Sequence, residues 1–148
     1  AVRQWEAQEG FYPEFFVFIQ CTSPIIDPRD IDNAIDYFRR TEADSLISVV
    51  AEHLFLWRRT PDAAVVPVNH EKSYRLRRQE REPDYRESGS IYIVRSEKLL
   101  REETRYCGKT VMYEVPRESA FEFDHPEDIE LLEPLLLWRK ENGRQSHE

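Results

Sequence analysis

The chain has 148 residues, a formal net charge of −8 and 40% hydrophobic residues, which is typical of one globular domain with one core. The acidic balance argues against general binding to nucleic acid or to anionic membranes, and no apolar run approaches the length that crosses a bilayer. The two cysteines, Cys21 and Cys107, make neither a disulfide framework nor a metal knuckle, so we expect a cytoplasmic protein.

The first fifty residues predict a strand, a helix and a second strand. Phe15–Ile19 is a continuous apolar run, which favours a fully buried central strand, and Cys21 just after it is expected to be buried. Asp27 as N-cap and Pro28 at the first helical position predict a helix start. Apolar residues then recur on one helical face: Ile31, Ile35 and Phe38. Residues 45–50 predict the second strand and complete a right-handed crossover unit.

The middle of the chain predicts shorter and less regular elements. Residues 53–59 predict a further strand, and residues 65–68 carry a proline that suits an edge position. Residues 69–86 are polar and irregular. Residues 89–94 are apolar and β-branched again, and they predict another buried strand.

Two helices and one more strand complete the predicted order. Residues 97–103 predict a short helix, and residues 110–115 predict a strand. The last helix is predicted to start at Pro126 and to end before Gly143, with Pro134 kinking or interrupting it. Two residues could cap its start: Asp124 and His125.

Polar side chains follow the first predicted strand: Gln20, Thr22 and Ser23. Open α/β sheets bind ligands at the carboxyl ends of their strands, so these residues are candidates for a binding site. The alternative is an ordinary polar turn, in which Thr22 and Ser23 hydrogen-bond to backbone groups.

Five arginines lie close together before the strand predicted at residues 89–94: Arg75, Arg77, Arg78, Arg81 and Arg86. Arginine presents a planar fork of donors that grips carboxylates and phosphates. On an acidic chain, such a run favours a pocket for a small anion over a nucleic-acid surface. Its continuation into a buried strand favours Arg78 and Arg86. The alternative is a solvated loop in which the arginines pair with neighbouring acidic residues: Glu80, Glu82 and Glu87.

Three carboxylates lie between the last predicted strand and the last helix: Glu122, Asp124 and Asp128. Glu122 and Asp124 alternate with Phe123, which places both on one side of an extended segment, and oxygen ligands of this kind suit Mg²⁺. The alternative is that Asp124 caps the final helix and Asp128 lies in its first turn.

At these three segments the chain resembles the acylneuraminate cytidylyltransferases, which synthesise CMP-activated sialic acids and other nonulosonic acids. Residues 20–24, Gln-Cys-Thr-Ser-Pro, match the family's Gln-x-Thr-Ser-Pro. Residues 78–92 match its Arg-Gln and Tyr-x-Glu-Asn-Gly-x-x-Tyr segment. Residues 121–124, together with Asp128, match its Ile-Asp-Ile-Asp motif.

The chain departs from the family pattern at Ser88, Glu122 and Phe123, where the family has Asn, Asp and Ile. The family's Gly-Ser-Lys loop for CTP is not found, so the resemblance implies an N-terminally incomplete chain. It further implies an α/β, Rossmann-like three-layer nucleotidyltransferase fold with a mostly parallel sheet. Residues 1–148 would form a single cytidylyltransferase-like domain, its C-terminal two thirds, with a dimerisation extension around residues 53–86.

The resemblance also implies a reaction, in which CMP moves from CTP to a nine-carbon keto-sugar acid and pyrophosphate is released. Asp124, with Glu122 as a secondary ligand, would hold Mg²⁺. Arg78 would pair with the sugar carboxylate, from the partner subunit of a homodimer, so Asp124 and Arg78 are the implied catalytic residues. The implied substrate-binding residues are Gln20, Thr22, Ser23, Arg86, Ser88 and Tyr92.

Several alternatives stay open at this stage. The chain alone is expected to be inactive, and a non-catalytic remnant that binds a sugar acid and dimerises would carry the same motifs. The CMP-octulosonate synthetases share the chemistry. An arginine-rich RNA-binding domain is disfavoured, because the chain has no aromatic stacking platform on a sheet and has the wrong overall charge.

Overall fold

The structure, a computed structural model, describes residues 12–142. Its strands are β1 Phe15–Ile19, β2 Ser45–Glu52, β3 Trp57–Arg59, β4 Val65–Pro67, β5 Asp84–Arg95 and β6 Thr110–Glu114. Its helices are α1 Pro28–Arg40, α2 Ser96–Glu102 and α3 Asp128–Asn142, with short 3₁₀ helices at Arg78–Glu80 and Arg117–Ala120. The chain divides into two compact units: residues 51–86 make up the second, and the remainder makes up the first.

The first unit is built on a four-stranded sheet with the order β1-β5-β2-β6. β5 runs antiparallel to β1, with Ile91 opposite Ile19, whereas β2 and β6 are parallel, with Ser45 opposite Thr110. The predicted α/β, Rossmann-like class is therefore confirmed, and the sheet is mixed. β5 also lies between β1 and β2, so the predicted strand–helix–strand unit skips one position in the sheet.

Strand β1 has the predicted bounds but not the predicted burial. Phe18 is 38% exposed and Ile19 is 49% exposed, and Cys21, expected to be buried, is exposed as well. Within the described residues β1 pairs only with β5 and lies at one end of the sheet. The prediction of a fully buried central strand was wrong because a continuous apolar run does not reveal how many neighbours a strand has.

Helix α1 begins as its sequence predicts. Asp27 is extended, and its side chain accepts the backbone N–H of Arg29 at 2.9 Å, while Pro28 occupies the first helical position. The buried face of the helix packs on the sheet, and Phe15 of β1 meets Phe38 edge-on with ring centroids 5.6 Å apart. The fully buried members of this core are Ala34, Phe38, Ala43, Leu46, Ile91 and Ile93.

The cap residue Asp27 should make stability depend on pH. Its carboxylate accepts two side-chain bonds from Arg29 and one backbone bond, and these lower the pKa of Asp27 to about 2. Because the folded pKa lies below the unfolded value of about 3.9, this stabilisation is present in full above that value and is lost as the pH falls towards 2. At pH 7, Asp27→Ala should lower the free energy of unfolding by about 1 kcal/mol.

Asp27→Asn is the matched control, because asparagine also caps helices but does not titrate. Urea unfolding between pH 6 and pH 2.5 should show a steeper loss of stability in the parent than in Asp27→Asn. Parallel curves for the two proteins would show that Asp27 makes no titrating contribution.

Helix α3 starts two residues later than predicted and passes through Pro134 without a break. Asp128 Oδ2 accepts the backbone N–H groups of His125 at 2.7 Å and Asp124 at 2.9 Å, so Asp128, not Asp124, orders the turn before the helix. These bonds hold the pKa of the Asp128 carboxyl below its usual range. The predicted end of the helix at Gly143 lies outside the described residues. None of the helices within residues 12–142 is long and apolar enough to span a bilayer.

The second unit contains a small antiparallel hairpin of β3 and β4, in which Trp57 pairs with Pro67. The predicted strands at residues 53–59 and 65–68 are thus present in shortened form. Several large apolar side chains of this unit are about half exposed: Leu54, Leu56, Trp57, Val65, Val66 and Val68. The unit nearly coincides with the predicted dimerisation extension, whose role stays a prediction.

Candidate functional site

The segments after β1 and before α3 meet at Gly89. The backbone N–H of Phe123 donates to the Thr22 carbonyl at 2.7 Å and ties the two segments together. Gly89 has a φ of 74°, in the left-handed region that favours glycine. A Cβ atom added at Gly89 would clash with the Glu122 carboxylate. It would also lie 3.3 Å from Ser23 Oγ. The absence of a side chain at Gly89 therefore makes room for the Glu122 carboxylate.

Ser23 is the buried member of the turn that follows β1. Its backbone N–H donates to the Gln20 carbonyl at 3.1 Å, which closes the turn, and Gln20 itself is half-buried. The Ser23 side chain is 3% exposed, yet its Oγ hydrogen-bonds to none of the described residues. Buried hydroxyl groups nearly always have a partner, so the Ser23 hydroxyl is an exception with an unused hydrogen bond.

The predicted magnesium ligands occupy unequal positions. The Asp124 side chain is exposed, whereas Glu122 is half-buried against Gly89 and near Ser23 Oγ. Within residues 12–142, no three His, Cys, Asp or Glu side chains gather closely enough to form a complete metal site. Mg²⁺ commonly binds through one or two carboxylates and completes its shell with water and substrate phosphates. Magnesium binding by Glu122 and Asp124 therefore stays a prediction.

Ser88 lies in a buried network of serine hydroxyls. Ser88 Oγ donates to Ser48 Oγ at 2.6 Å, and Ser48 Oγ also accepts the backbone N–H of Ile91 at 2.8 Å. Ser90 Oγ lies 3.0 Å from Ser88 Oγ and donates to the Ser119 carbonyl at 2.8 Å. Ser88 is completely buried, so in this structure its hydroxyl faces the protein rather than solvent.

Tyr92 belongs to a second cluster, with Glu87 and two residues of the loop between α2 and β6. Tyr92 is 2% exposed, and its hydroxyl donates to Glu87 Oε1, which also accepts the Tyr106 hydroxyl at 2.8 Å. Burial and the bond to Glu87 raise the pKa of Tyr92. The Arg105 guanidinium lies 3.8 Å from the centre of the Tyr92 ring. Tyr92 is therefore covered by Arg105 and holds its hydroxyl against Glu87.

The arginines of the second unit differ in burial and in hydrogen-bond partners. The Arg81 side chain is 11% exposed and donates to the Leu54 carbonyl at 2.8 Å, to the Asn69 carbonyl at 3.3 Å and to the Asp84 carboxylate. Its guanidinium also lies 4.9 Å from the centre of the Phe55 ring. Arg81 is thus a structural residue of this unit, a role that the clustering of arginines alone did not reveal.

Arg78 and Arg86, which the sequence favours as anion-binding residues, are both more exposed than Arg81. Arg78 begins the short 3₁₀ helix and is exposed, and Arg86 lies 3.5 Å from Glu52 Oε1 with its side chain 45% exposed. Both belong to residues 51–86, whereas Gly89, Ser23 and Glu122 belong to the first unit. Anion binding by Arg78 stays a prediction.

Curated proteins provide the decisive comparison. The chain is 30% identical over 122 residues to N-acylneuraminate cytidylyltransferase A of Danio rerio. It is 31% identical over 118 residues to the N-acylneuraminate cytidylyltransferase of Streptococcus agalactiae serotype V. The chain belongs to the N-acylneuraminate cytidylyltransferase family. The matches cover 80% and 77% of the chain but only 28% of each relative's length. No protein-family model matches the chain.

Membership of the cytidylyltransferase family confirms the resemblance drawn from three short motifs. The structure brings two of these motifs together at Gly89, which lies in the third, through Ser23 and Glu122. Sequence reasoning missed Ser48 and Arg105, and it named Glu87 only as a possible partner of the neighbouring arginines. The available signals were weak: Ser48 is a polar residue inside an apolar strand, and Arg105 is a lone arginine next to an aromatic residue.

Proposed function

We propose that the chain contributes the sugar-acid side of an enzyme that transfers CMP from CTP to a nine-carbon keto-sugar acid and releases pyrophosphate. The observation that carries this proposal is the meeting of the segments after β1 and before α3 at Gly89, because these segments hold the residues that match the cytidylyltransferases. The names of the curated relatives support the same reaction class.

In the proposed reaction, the anomeric hydroxyl of the sugar acid attacks the α-phosphorus of CTP. A bond from the sugar oxygen to phosphorus forms, the bond from phosphorus to the pyrophosphate oxygen breaks, and the hydroxyl proton passes to solvent water. Catalysis of this kind depends mainly on positioning and on stabilising negative charge. The substrates thus need an oxygen-lined pocket and a source of positive charge.

The residues around Gly89 would help to meet both needs. The Ser23 hydroxyl is enclosed and lacks a partner among the described residues, and it would bond to a substrate oxygen once ligand binding opens the turn that covers it. Glu122 and Asp124 would hold Mg²⁺, which neutralises charge on phosphate oxygens when it is bound. Gly89 admits the Glu122 carboxylate to this place, and the Thr22 carbonyl fixes the segment that carries it.

Dimer formation is part of the proposal. The half-exposed apolar side chains of the second unit, among them Leu56, Trp57 and Val66, form the kind of surface that proteins bury against a partner. The family resemblance implies that Arg78 of one copy meets the sugar acid bound to another.

The test is a pyrophosphate-release assay with CTP, Mg²⁺ and a panel of eight- and nine-carbon sugar acids, run on this chain and on an N-terminally extended one. We expect release by the extended chain only, with nine-carbon acids as substrates and with a strong dependence on Asp124, tested as Asp124→Asn. Preference for an eight-carbon acid would indicate an octulosonate enzyme. Binding of a sugar acid without release by either chain would favour a non-catalytic binding protein, and neither binding nor release would refute the proposal.

A further inference from the structure

The cluster around Glu87 presents one cationic group to solvent. Tyr92 is buried, whereas the side chains of Arg105 and Glu87 are each 38% exposed and Tyr106 is 45% exposed. Ile91 lies opposite Ile19 in the sheet, so this end of β5 lies beside the carboxyl end of β1, where Ser23 follows. The cluster and the residues around Gly89 thus share one end of the sheet.

Arg105 is held in a defined orientation. Its guanidinium stacks 3.8 Å from the centre of the Tyr92 ring and 5.2 Å from the centre of the Tyr106 ring. Its Nε donates to the Tyr106 hydroxyl at 3.1 Å. Stacking and this bond fix the plane of the guanidinium before any ligand arrives, so little side-chain entropy remains to be lost on binding.

The outer edge of this guanidinium keeps its hydrogen-bonding capacity. The nearest carboxylate oxygen, Glu87 Oε1, lies 3.9 Å from Arg105 Nη2, which is too far for a hydrogen bond. The same oxygen already accepts the hydroxyls of Tyr92 and Tyr106, so two donors satisfy it. Among the described residues, none accepts a hydrogen bond from either terminal nitrogen of Arg105.

We propose that Arg105 binds the carboxylate of the sugar acid, with Glu87 as a positioning residue, because Glu87 holds the Tyr106 hydroxyl to which Arg105 donates. A planar fork with two free terminal nitrogens matches a carboxylate, which accepts two parallel hydrogen bonds. This proposal rests on the proposed function for its ligand class. It assigns the anion to an arginine of the first unit, in addition to the predicted Arg78 of the second.

The experiment compares binding of a nine-carbon keto-sugar acid with binding of its methyl ester, which keeps the sugar but removes the negative charge. Titration calorimetry or NMR on this chain should show the acid binding at least tenfold more tightly than the ester. Arg105→Gln should reduce that preference severalfold, since the predicted Arg78 would retain part of it, and should weaken ester binding much less than acid binding. Arg105→Lys keeps the charge without the fork and should restore part of the preference. Arg101→Gln is the matched control, because Arg101 is exposed on α2 and pairs with Glu102.

The outcomes separate this inference from the function on which it rests. If Arg105→Gln keeps the full preference for the acid, Arg105 does not read the carboxylate, and the proposed function stands. If Arg105→Gln weakens acid and ester equally, the residue merely supports the pocket, and the inference fails again. If the parent binds neither compound, the substrate class of the proposed function is refuted together with this inference.

Discussion

Replacing Phe38 by alanine is expected to lower the free energy of unfolding by about 3–5 kcal/mol. Phe38 is completely buried where α1 meets the sheet, against Phe15, and the Arg95 guanidinium lies 5.3 Å from the centre of its ring. Truncation removes apolar area and leaves a cavity that α1 and the sheet can close only in part. Since domains of this size are stable by about 5–15 kcal/mol, this is a large fraction of the total.

Phe18→Ala is the control for this change. It removes the same side chain from a site on β1 that is 38% exposed, and it should cost about 1 kcal/mol. Chemical denaturation of the parent and of both variants gives the three values. Equal losses for Phe38→Ala and Phe18→Ala would contradict the position of Phe38 in the core.

Gly89→Ala is expected to destabilise the protein by about 1–2 kcal/mol, because an L-residue is strained at a φ of 74°. The new methyl group also occupies the space of the Glu122 carboxylate, which must then move away from Ser23. The substitution should therefore change the candidate site as well as the stability. Denaturation of the purified variant measures the first effect.

A double-mutant cycle measures the contact between Gly89 and Glu122. In a Glu122→Ala background the carboxylate is absent, so Gly89→Ala should cost less there than in the parent, by more than about 0.5 kcal/mol. The backbone strain at Gly89 is the same in both backgrounds and cancels. Additive losses would show that the Glu122 carboxylate does not fill the space in front of Gly89.

Local signals were enough to predict helix α1. Its cap, its first proline and its apolar face are all contained in residues 27–38, and the structure reproduces each of them. The same holds for the bounds of β1. In contrast, the place of β1 in the sheet depends on β5, which lies some seventy residues further along the chain, and an apolar run does not reveal how many neighbours a strand has. That prediction therefore failed on burial.

The sequence was enough to predict which segments carry the candidate site, but not how their side chains are arranged. The motifs place Ser23, Gly89 and Glu122 in the family's order, which is information about ancestry. That the Glu122 carboxylate stands where a side chain of Gly89 would be is a fact of packing, and no spacing rule contains it. Arg105 shows the same limit, because its stacking on Tyr92 joins two residues of different elements.

The contacts of Arg81 have a consequence for how this protein can vary among species. The groups that Arg81 holds, the carbonyls of Leu54 and Asn69 and the Asp84 carboxylate, all lie within residues 51–86. A segment stabilised by such internal contacts can gain, lose or exchange residues without a change in the four-stranded sheet of the first unit. Insertions and deletions among relatives should therefore concentrate in this segment, while Arg81 and Asp84 change together.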